Sequence, residues 1–312
     1  MAVYTHIAAE DMAELVQMFD AGQLISAKGI AEGVENSNYL VETDKGRFIF
    51  TVYEQRVDSD DLPFFFAMIR HLVAKGCPVP RALETIDGAS MTHWRGKYMA
   101  MMAFMPGLSV SHPTPAQAYA VGAALGQMHA ALADFTGRRA NRLGLQGWQD
   151  LAARCGDDLD RIAPGLKALV ADECAYLAAH WPTALPAGVI HGDLFPDNVL
   201  MVGDDVGAII DFYFACNEIR AWDVAITHAA WSFANDGTGY NPATGDAIIA
   251  GYDSRLRLSD AERAALPLLA RGACLRFLLT RAWDWLNTPA DAVVTRKDPL
   301  AFVRRLDHYA AL

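Results

Sequence analysis

The amino-acid sequence predicts an α+β fold with an N-terminal antiparallel-sheet lobe and a larger, mainly helical C-terminal lobe. Apolar and polar residues alternate on both sides of the turn at residues 43–46, as in a β-hairpin. Pro106-Gly107 and the turn-rich SVSHPTP then interrupt the chain. Beyond them, apolar residues recur at three- and four-residue spacing, which is typical of buried helix faces. We therefore expect a first lobe at residues 1–105 and a second at residues 106–312.

The first lobe contains signals for both helices and strands. Residues 10–20 have the pattern of a short amphipathic helix, and residues 38–53 that of the hairpin. Residues 62–75 are predicted to be helical, because Gly76 can cap that helix and two prolines follow closely. The segment SMTHWRGKYMAMMAFM supplies one or two more strands.

Helical periodicity dominates the second lobe, over residues 114–135, 166–181, 261–285 and 300–311. Residues 189–214 are the exception. There the apolar segments NVLMV and VGAIIDF flank Gly203-Asp204-Asp205, which predicts a small β-hairpin.

Composition narrows the classes of partner. Lys and Arg total 26 and Asp and Glu total 37, so the formal net charge is −11. This charge disfavours nucleic acid and anionic membrane surfaces as partners. The acidic start lacks a secretory pattern, no uninterrupted apolar segment is long enough to span a membrane, and five scattered cysteines form no CxxC pair. These features predict a cytoplasmic location, and they leave the oligomeric state open.

The segment VIHGDLFPDNVLM, residues 189–201, carries the clearest chemical signal. His191, Asp193 and Asn198 are spaced as HxDxxxxN, and Asp211 follows in IIDF, which is the order of the kinase catalytic signature. Phosphoryl transfer needs oxygen ligands for Mg²⁺ and a proton acceptor near the attacking hydroxyl. An Asp/Asn-rich turn is the other explanation, but it requires neither His191 nor Asp211. We therefore favour a kinase.

Other segments identify a family. The loop has Gly192 where protein kinases have Arg, and DFY where they have DFG. The pattern resembles the aminoglycoside phosphotransferase and choline kinase superfamily, small-molecule kinases with a bilobal protein-kinase-like fold. Within that superfamily the chain resembles the homoserine kinases. The matching segments are EGVENSNY, FIFTVYE, HLVAKGCPVP, VIHGDLFPDNVL, IIDFYFACNE, TRAWDWL and KDP.

The resemblance implies ATP-dependent phosphorylation of the hydroxyl group of L-homoserine, a step of threonine biosynthesis. It implies a nucleotide-binding first lobe and a catalytic, substrate-binding second lobe. Asp193 becomes the catalytic base, and Asn198 and Asp211 become ligands of Mg²⁺. His191 is expected to brace the loop, and Asp223 to tie a helix down.

The nucleotide side of the predicted site is less clear. Gly33, Asn36, Ser37 and Asn38 lie in the turn where the family's phosphate-covering loop lies, and backbone N–H groups there could bind ATP. An ordinary hairpin turn explains the same residues.

The strand FIFTVYE departs from the protein-kinase pattern. It has Thr51 where protein kinases have a Lys, and Phe65 falls near the position of the partner Glu. Lys45, Arg47 and Arg56 are candidates for neutralising the ATP phosphates, although such a residue is more often just a solvated surface charge.

The acceptor pocket should match a zwitterion if homoserine is the substrate. Arg281 and Asp284 fall one helical turn apart, and an Arg on such an apolar helix needs an anion. We expect Arg281 to bind the substrate carboxylate, or else to form an internal salt bridge with Asp284 or with the loop at Asp211. Asp284, Tyr213 and Glu218 are further candidates for substrate binding.

Two other functions remain open from the residues alone. The acceptor could be choline, ethanolamine, an aminoglycoside or a sugar. The chain could also be a non-catalytic pseudokinase, which the missing Lys–Glu pair favours and the intact set of Asp193, Asn198 and Asp211 disfavours.

Overall fold

The computed structural model describes residues 5–30, 36–54, 58–288 and 296–312. The chain folds into two compact units, Met1–Pro106 and Gly107–Leu312. An antiparallel sheet dominates the first unit and helices dominate the second, so the predicted α+β class is confirmed.

The first unit is built on a five-stranded antiparallel sheet of order β1-β2-β3-β5-β4. Its strands are β1 Leu24–Ile30, β2 Ser37–Thr43, β3 Gly46–Val52, β4 Thr92–Trp94 and β5 Lys97–Ala103. Its helices are α1 Ala9–Met18 and α2 Leu62–Ala74. The predicted hairpin, the two later strands and both helices are therefore confirmed.

Alternation along the strands gives this sheet two different faces. One face supplies the core that packs on α1; it includes Tyr39, Val41, Phe50, Val52, Met99 and Met101 against Met12, Leu15 and Val16. Asn38 and Thr51 have the opposite parity, and the Thr51 hydroxyl donates to Asn38 Oδ1 at 2.8 Å. Thr51, at the predicted position of the strand cation, therefore lies on the face away from α1.

The second unit consists mostly of helices. They are α3 Pro115–Ala131, α4 Leu145–Cys155, α5 Leu159–Ile162, α6 Leu166–His180, α7 Arg220–Trp231, α8 Pro242–Asp253, α9 Asp260–Asn287 and α10 Leu300–Ala310. The four periodic segments correspond to α3, α6, α9 and α10. The sequence pattern does not predict α4 and α8, which contain Gly147, Gly245 and Gly251, because glycine lowers helix propensity.

Helices α3 and α8 pack with their backbones close together. A Cβ atom at Gly122 would lie 2.1 Å from the Ile248 carbonyl oxygen, and one at Gly251 would lie 2.0 Å from the Tyr119 carbonyl oxygen. Only glycine fits at these two positions. At its start, α3 has a capping box between Thr114 and Gln117.

Two small antiparallel pairs complete the second unit. Strands β6 Ala187–Ile190 and β9 Cys216–Ile219 form one pair, and β7 Val199–Val202 and β8 Asp205–Ile209 form the other. The β7–β8 pair is the predicted hairpin. Across the described ranges, no helix is both long and apolar enough to cross a lipid bilayer.

Candidate active site

The predicted catalytic loop, residues 191–198, connects β6 to β7 and ends in a 3₁₀ turn at Pro196–Asn198. The Asn198 amide nitrogen donates to the Asp193 carbonyl oxygen at 2.8 Å and to Asp193 Oδ2 at 3.0 Å. Asn198 is buried and Asp193 is partly exposed. The loop therefore closes on itself and fixes the orientation of the Asp193 carboxylate.

Asp211 lies at the same end of the β7–β8 ribbon as Asn198. Val199 pairs with Ile209, and the next residue along, Ile210, donates its N–H to the Asn198 carbonyl oxygen at 3.0 Å. Asp211 follows directly with a φ of 64°, in the left-handed region that a non-glycine residue adopts at some cost. The ribbon thus brings Asp211 to the end where Asn198 lies, and Asn198 in turn holds Asp193.

Asp223 on α7 holds the start of this loop. Its carboxylate accepts the backbone N–H of His191 at 2.7 Å and of Gly192 at 2.9 Å, and it also pairs with His129 Nε2 at 3.0 Å. Burial alone would raise the pKa of Asp223, but the hydrogen bond and charge of His129, with the Gly192 N–H, lower it below its ordinary value. The residue is a buried carboxylate that ties α7 to the loop, as predicted.

His191 braces the loop from inside. Its Nδ1 accepts the Asp193 N–H at 3.1 Å, and its Nε2 donates to the Ile210 carbonyl oxygen at 3.0 Å. The ring is fully buried, and burial lowers its pKa, so the imidazole is neutral. His191 therefore joins the Asp193 end of the loop to the strand that leads into Asp211.

Two further side chains hydrogen-bond to the main chain of the loop, and the sequence pattern does not predict that role for either. Arg276 on α9, 3% exposed, donates from Nη1 to the Gly192 carbonyl oxygen, and the Trp231 indole N–H donates to the Leu194 carbonyl oxygen at 2.9 Å. Burial lowers the pKa of Arg276. A charged residue inside the apolar run CLRFLL is the signal that could have identified Arg276.

Arg281 is half-buried in the second unit, and its hydrogen bond goes to an uncharged group. Its Nη1 donates to the Asp298 carbonyl oxygen at 3.2 Å, and its guanidinium lies 4.6 Å from the Phe302 ring centroid. Burial, with the neighbouring Arg305, lowers the pKa of Arg281 to about 10, against the opposing effect of nearby carboxylates that include Asp193. Within the described part of the chain, Arg281 makes no ion pair, so the expected salt bridge to Asp284 or to the Asp211 loop is wrong.

The other predicted substrate residues are spread over this unit. Glu218 lies opposite Gly188 in the β6–β9 pair, and its carboxylate accepts from the Asn141 amide at 3.0 Å. Tyr213 lies between Asp211 and β9, and Asp284 lies one turn beyond Arg281; both are partly buried. Glu218 is therefore engaged in holding the segment before α4.

The predicted phosphate loop is described only from Asn36 onward, and Gly33 lies outside the described residues. Asn36 Oδ1 accepts the Glu54 N–H at 3.2 Å, and the buried Ser37 hydroxyl donates to Glu54 Oε1 at 2.7 Å. Asn38 accepts from Thr51. These three side chains hydrogen-bond within the first unit, so the sheet uses them as internal contacts.

The register of β2 and β3 shows that two of the predicted phosphate-neutralising cations, Lys45 and Arg47, lie far from the β1–β2 loop. The β1–β2 loop lies at the end where Ser37 pairs with Val52, whereas Lys45 lies in the turn at the other end, beside the pair of Thr43 and Gly46. Six residues of strand separate the ends, roughly 20 Å. Lys45 pairs with Asp20 at 2.8 Å and Arg47 with Glu42 at 3.4 Å.

Lys45 and Arg47 are therefore wrong as cations for that loop, and Arg56 lies outside the described residues. Thr51 is buried and bonded to Asn38, and Phe65 on α2 is 2% exposed. Helix α2, LPFFFAMIRHLVA, contains no acidic residue. The Lys–Glu pair of protein kinases has no counterpart at these positions.

A sheet-based unit, a helical unit and a braced HxDxxxxN loop followed by Asp211 define a phosphotransferase of the protein-kinase-like class. More specifically, the chain belongs to the phosphotransferase enzyme family, whose model matches residues 26–259.

Relatives that match along nearly the whole chain include homoserine kinases. That of Xanthobacter autotrophicus strain Py2 is 48% identical over 312 residues, covering 100% of this chain and 97% of the relative. That of Rhizobium etli strain CIAT 652 is 48% identical over 306 residues, covering 98% and 95%.

Solved structures with the same fold are far more distant in sequence. A spectinomycin phosphotransferase in complex with ADP and spectinomycin superposes with a TM-score of 0.72 at 14% identity, covering 97% of this chain and 95% of that one. An amicoumacin kinase in complex with AMP-PNP and Ca²⁺ also gives 0.72 at 14% identity, covering 98% and 94%. These likenesses show the fold.

Proposed function

We propose that this chain is a homoserine kinase, which transfers the γ-phosphoryl group of ATP to the side-chain hydroxyl of L-homoserine and releases O-phosphohomoserine and ADP. The observation that carries the proposal is the match to homoserine kinases at 48% identity over the entire chain. The geometry of the braced loop supports the same chemistry.

Asp193 is the base in this proposal. Asn198 holds one oxygen of its carboxylate, and His191 holds its backbone, so the carboxylate is oriented before the acceptor arrives. As the hydroxyl oxygen of homoserine attacks the γ-phosphorus, its proton passes to Asp193 and the bond to the ADP oxygen breaks. A positioned base of this kind contributes about 10²–10⁴-fold to rate.

Asn198 and Asp211 fit a Mg²⁺ site. The side-chain hydrogen bonds described for Asn198 use its amide nitrogen, so the amide oxygen is the atom that it offers to a cation. With the Asp211 carboxylate this makes two oxygen ligands, the usual number where substrate phosphates complete the coordination. Mg²⁺, when bound, neutralises charge on the phosphates. Asp211 reaches this place through its left-handed backbone conformation.

Arg281 is the proposed ligand of the homoserine carboxylate. Its half-buried guanidinium contacts a carbonyl oxygen and an aromatic ring among the groups described above, and such a cation gains most from an anionic partner. Asp284, Tyr213 and Glu218 remain predicted contributors to the acceptor pocket.

Replacing Asp193 tests the proposal. Asp193→Ala should lower kcat for homoserine by about 10²–10⁴-fold without loss of folding, because the side chain is partly exposed and the loop keeps its braces. ADP release in the presence of homoserine gives kcat, and circular dichroism checks the fold. Asp205→Asn, an exposed carboxylate on β8, is the matched control and should keep full activity. Unchanged turnover in Asp193→Ala would exclude Asp193 as the base.

A further inference from the structure

An ion pair outside the set of residues discussed so far lies on the surface of the catalytic loop. Lys297 Nζ is 2.8 Å from Asp197 Oδ2, and the two side chains are 59% and 56% exposed. Asp197 is the residue before Asn198, whereas Lys297 lies 100 residues further along, shortly before α10. The Lys297 ammonium is also 5.9 Å from the ring centroid of Phe195, in the same loop. Lys297 is therefore held at the loop that carries Asp193.

Arg281 joins the same neighbourhood from α9. It donates to the carbonyl oxygen of Asp298, the residue directly after Lys297. Asp197 and Asp193 both act electrostatically on the Arg281 guanidinium. The segment that carries Lys297 is thus attached to α9 through Arg281 and to the loop through Lys297.

Cations and carboxylates lie close together at this corner. Arg281 and Arg305 both contact the Phe302 ring, at 4.6 and 4.4 Å from its centroid, and neither makes an ion pair within the described ranges. Arg305 donates to a carbonyl oxygen, that of Ala234, at 3.0 Å. Asp197 is the carboxylate that faces Lys297 directly. A zwitterion arriving here would meet the cations Lys297 and Arg281 beside the carboxylates of Asp193, Asp197 and Asp298.

An exposed ion pair by itself contributes little to stability. Stability therefore gives little reason for this lysine to be attached to the catalytic loop. A zwitterionic acceptor does give a reason, because it requires cations for its carboxylate and an acid for its ammonium within a few ångströms of the base. Lys297 and Arg281 supply the cations of such a set, and Asp197 holds the Lys297 ammonium in place.

We propose that Lys297 is a specificity-determining residue, which binds the acceptor carboxylate together with Arg281 while Asp197 orients the Lys297 ammonium. The proposal rests on the proposed function, since it assumes an amino-acid alcohol as acceptor. It assigns the chain a preference for hydroxyl compounds that carry a carboxylate near the reacting group.

Steady-state kinetics of Lys297→Met and Lys297→Arg test the proposal, with L-homoserine and L-homoserinamide as probes. The amide keeps the hydroxyl and the ammonium but lacks the carboxylate. If its turnover is too slow to follow, its inhibition constant against homoserine is measured instead. Lys167→Met is the matched control, because Lys167 on α6 forms an exposed ion pair with Asp157 at 2.5 Å.

We expect Lys297→Met to raise KM for homoserine by about tenfold or more with kcat within about twofold, since a contact kept from ground state to transition state changes KM alone. The constant for homoserinamide should stay unchanged. Lys297→Arg should restore most of the affinity, and Lys167→Met should behave as the wild type.

Three results would overturn the proposal. Unchanged KM would mean that Lys297 forms only a surface ion pair. A fall in kcat alone would place Lys297 at the transferring phosphoryl group. An equal rise in KM or in the inhibition constant for homoserine and homoserinamide would mean that Lys297 does not bind the carboxylate. Failure of the wild type to phosphorylate homoserine would instead refute the proposed function, so the two failures are distinguishable.

Discussion

Asp223 connects the candidate active site to the hydrophobic core. It is fully buried, yet it receives two backbone N–H groups from the loop and a ring nitrogen from His129, whose other nitrogen bonds with the Tyr252 hydroxyl at 2.9 Å. A buried carboxylate costs free energy unless such donors surround it. Its removal should therefore affect both stability and the position of Asp193.

Asp223→Asn should destabilise the fold by about 3 kcal/mol, because the amide group turns an NH₂ toward one of the donors that the carboxylate now accepts. It should also lower kcat by about tenfold or more, since the loop loses its fixed start. Urea unfolding and ADP release measure the two effects. Asp307→Asn, an exposed helical carboxylate on α10, should change stability by less than about 0.5 kcal/mol. Wild-type stability in Asp223→Asn would contradict the bracing role.

The lowered pKa of Asp223 also predicts a pH dependence. The unfolded carboxyl titrates near pH 3.9, and the folded one titrates below that value, so the folded state binds this proton less readily. The resulting stabilisation is fully present above the unfolded pKa and is lost as the pH falls through the folded pKa. Between pH 6 and pH 3, wild type should therefore lose more unfolding free energy than Asp223→Asn. Equal losses in urea unfolding at both pH values would contradict this.

At the level of single residues, the sequence predicts the groups that are close along the chain. Asp193 and Asn198 share one loop and Asp211 follows one hairpin later, so their spacing carries the geometry. Arg276 reaches Gly192 across 84 residues and Trp231 reaches Leu194 across 37. Contacts between residues so far apart in sequence depend on how the helices pack, and local spacing contains no signal for them.

At the level of strands and helices, too, local patterns predict the elements, whereas their register and packing do not follow from the sequence. The strands on either side of residues 43–46 follow from alternation, but only their register shows that Lys45 lies at the end of the sheet away from the β1–β2 loop. Likewise, periodicity finds α3, whereas its partner α8 has too many glycines to be recognised before the close contact between them is known.

The contact between α3 and α8 predicts that a glycine-to-alanine substitution lowers the free energy of unfolding, the opposite of what helix propensity predicts. Helix propensity alone favours Ala over Gly by about 1 kcal/mol. At Gly122, however, a Cβ atom would lie 2.1 Å from the Ile248 carbonyl oxygen, and the backbone there has to move away. Gly122→Ala should therefore destabilise the protein by about 2 kcal/mol or more in urea unfolding. A stabilised variant would mean that the two helices separate easily.

For the whole molecule, the fold and the acceptor are separate questions. The spectinomycin phosphotransferase shares the fold at a TM-score of 0.72 with only 14% identity, whereas homoserine kinases match this chain at 48%. One fold can carry many acceptors, so the acceptor must be argued from the site.

A panel of hydroxyl compounds tests the acceptor. The protein with ATP and Mg²⁺ should phosphorylate L-homoserine with a kcat/KM at least about 10²-fold above that for choline, ethanolamine or spectinomycin, because those amines bring no carboxylate to Arg281. ADP release, with mass spectrometry of the products, measures this ranking. A better rate with choline would favour the rival kinase, and nucleotide binding without any transfer would favour a pseudokinase.

The attachment of the catalytic loop has a consequence for how this enzyme could change. Asp223, Arg276 and Trp231 come from α7 and α9 and hold the loop through its main chain, whereas Lys297 contacts the loop residue Asp197 at the solvent-exposed rim. Mutations at the rim therefore change which hydroxyl compound is accepted, while the phosphoryl-transfer chemistry is retained. Directed evolution of this enzyme toward new acceptors should accumulate substitutions at the rim and retain Asp223, Arg276 and Trp231.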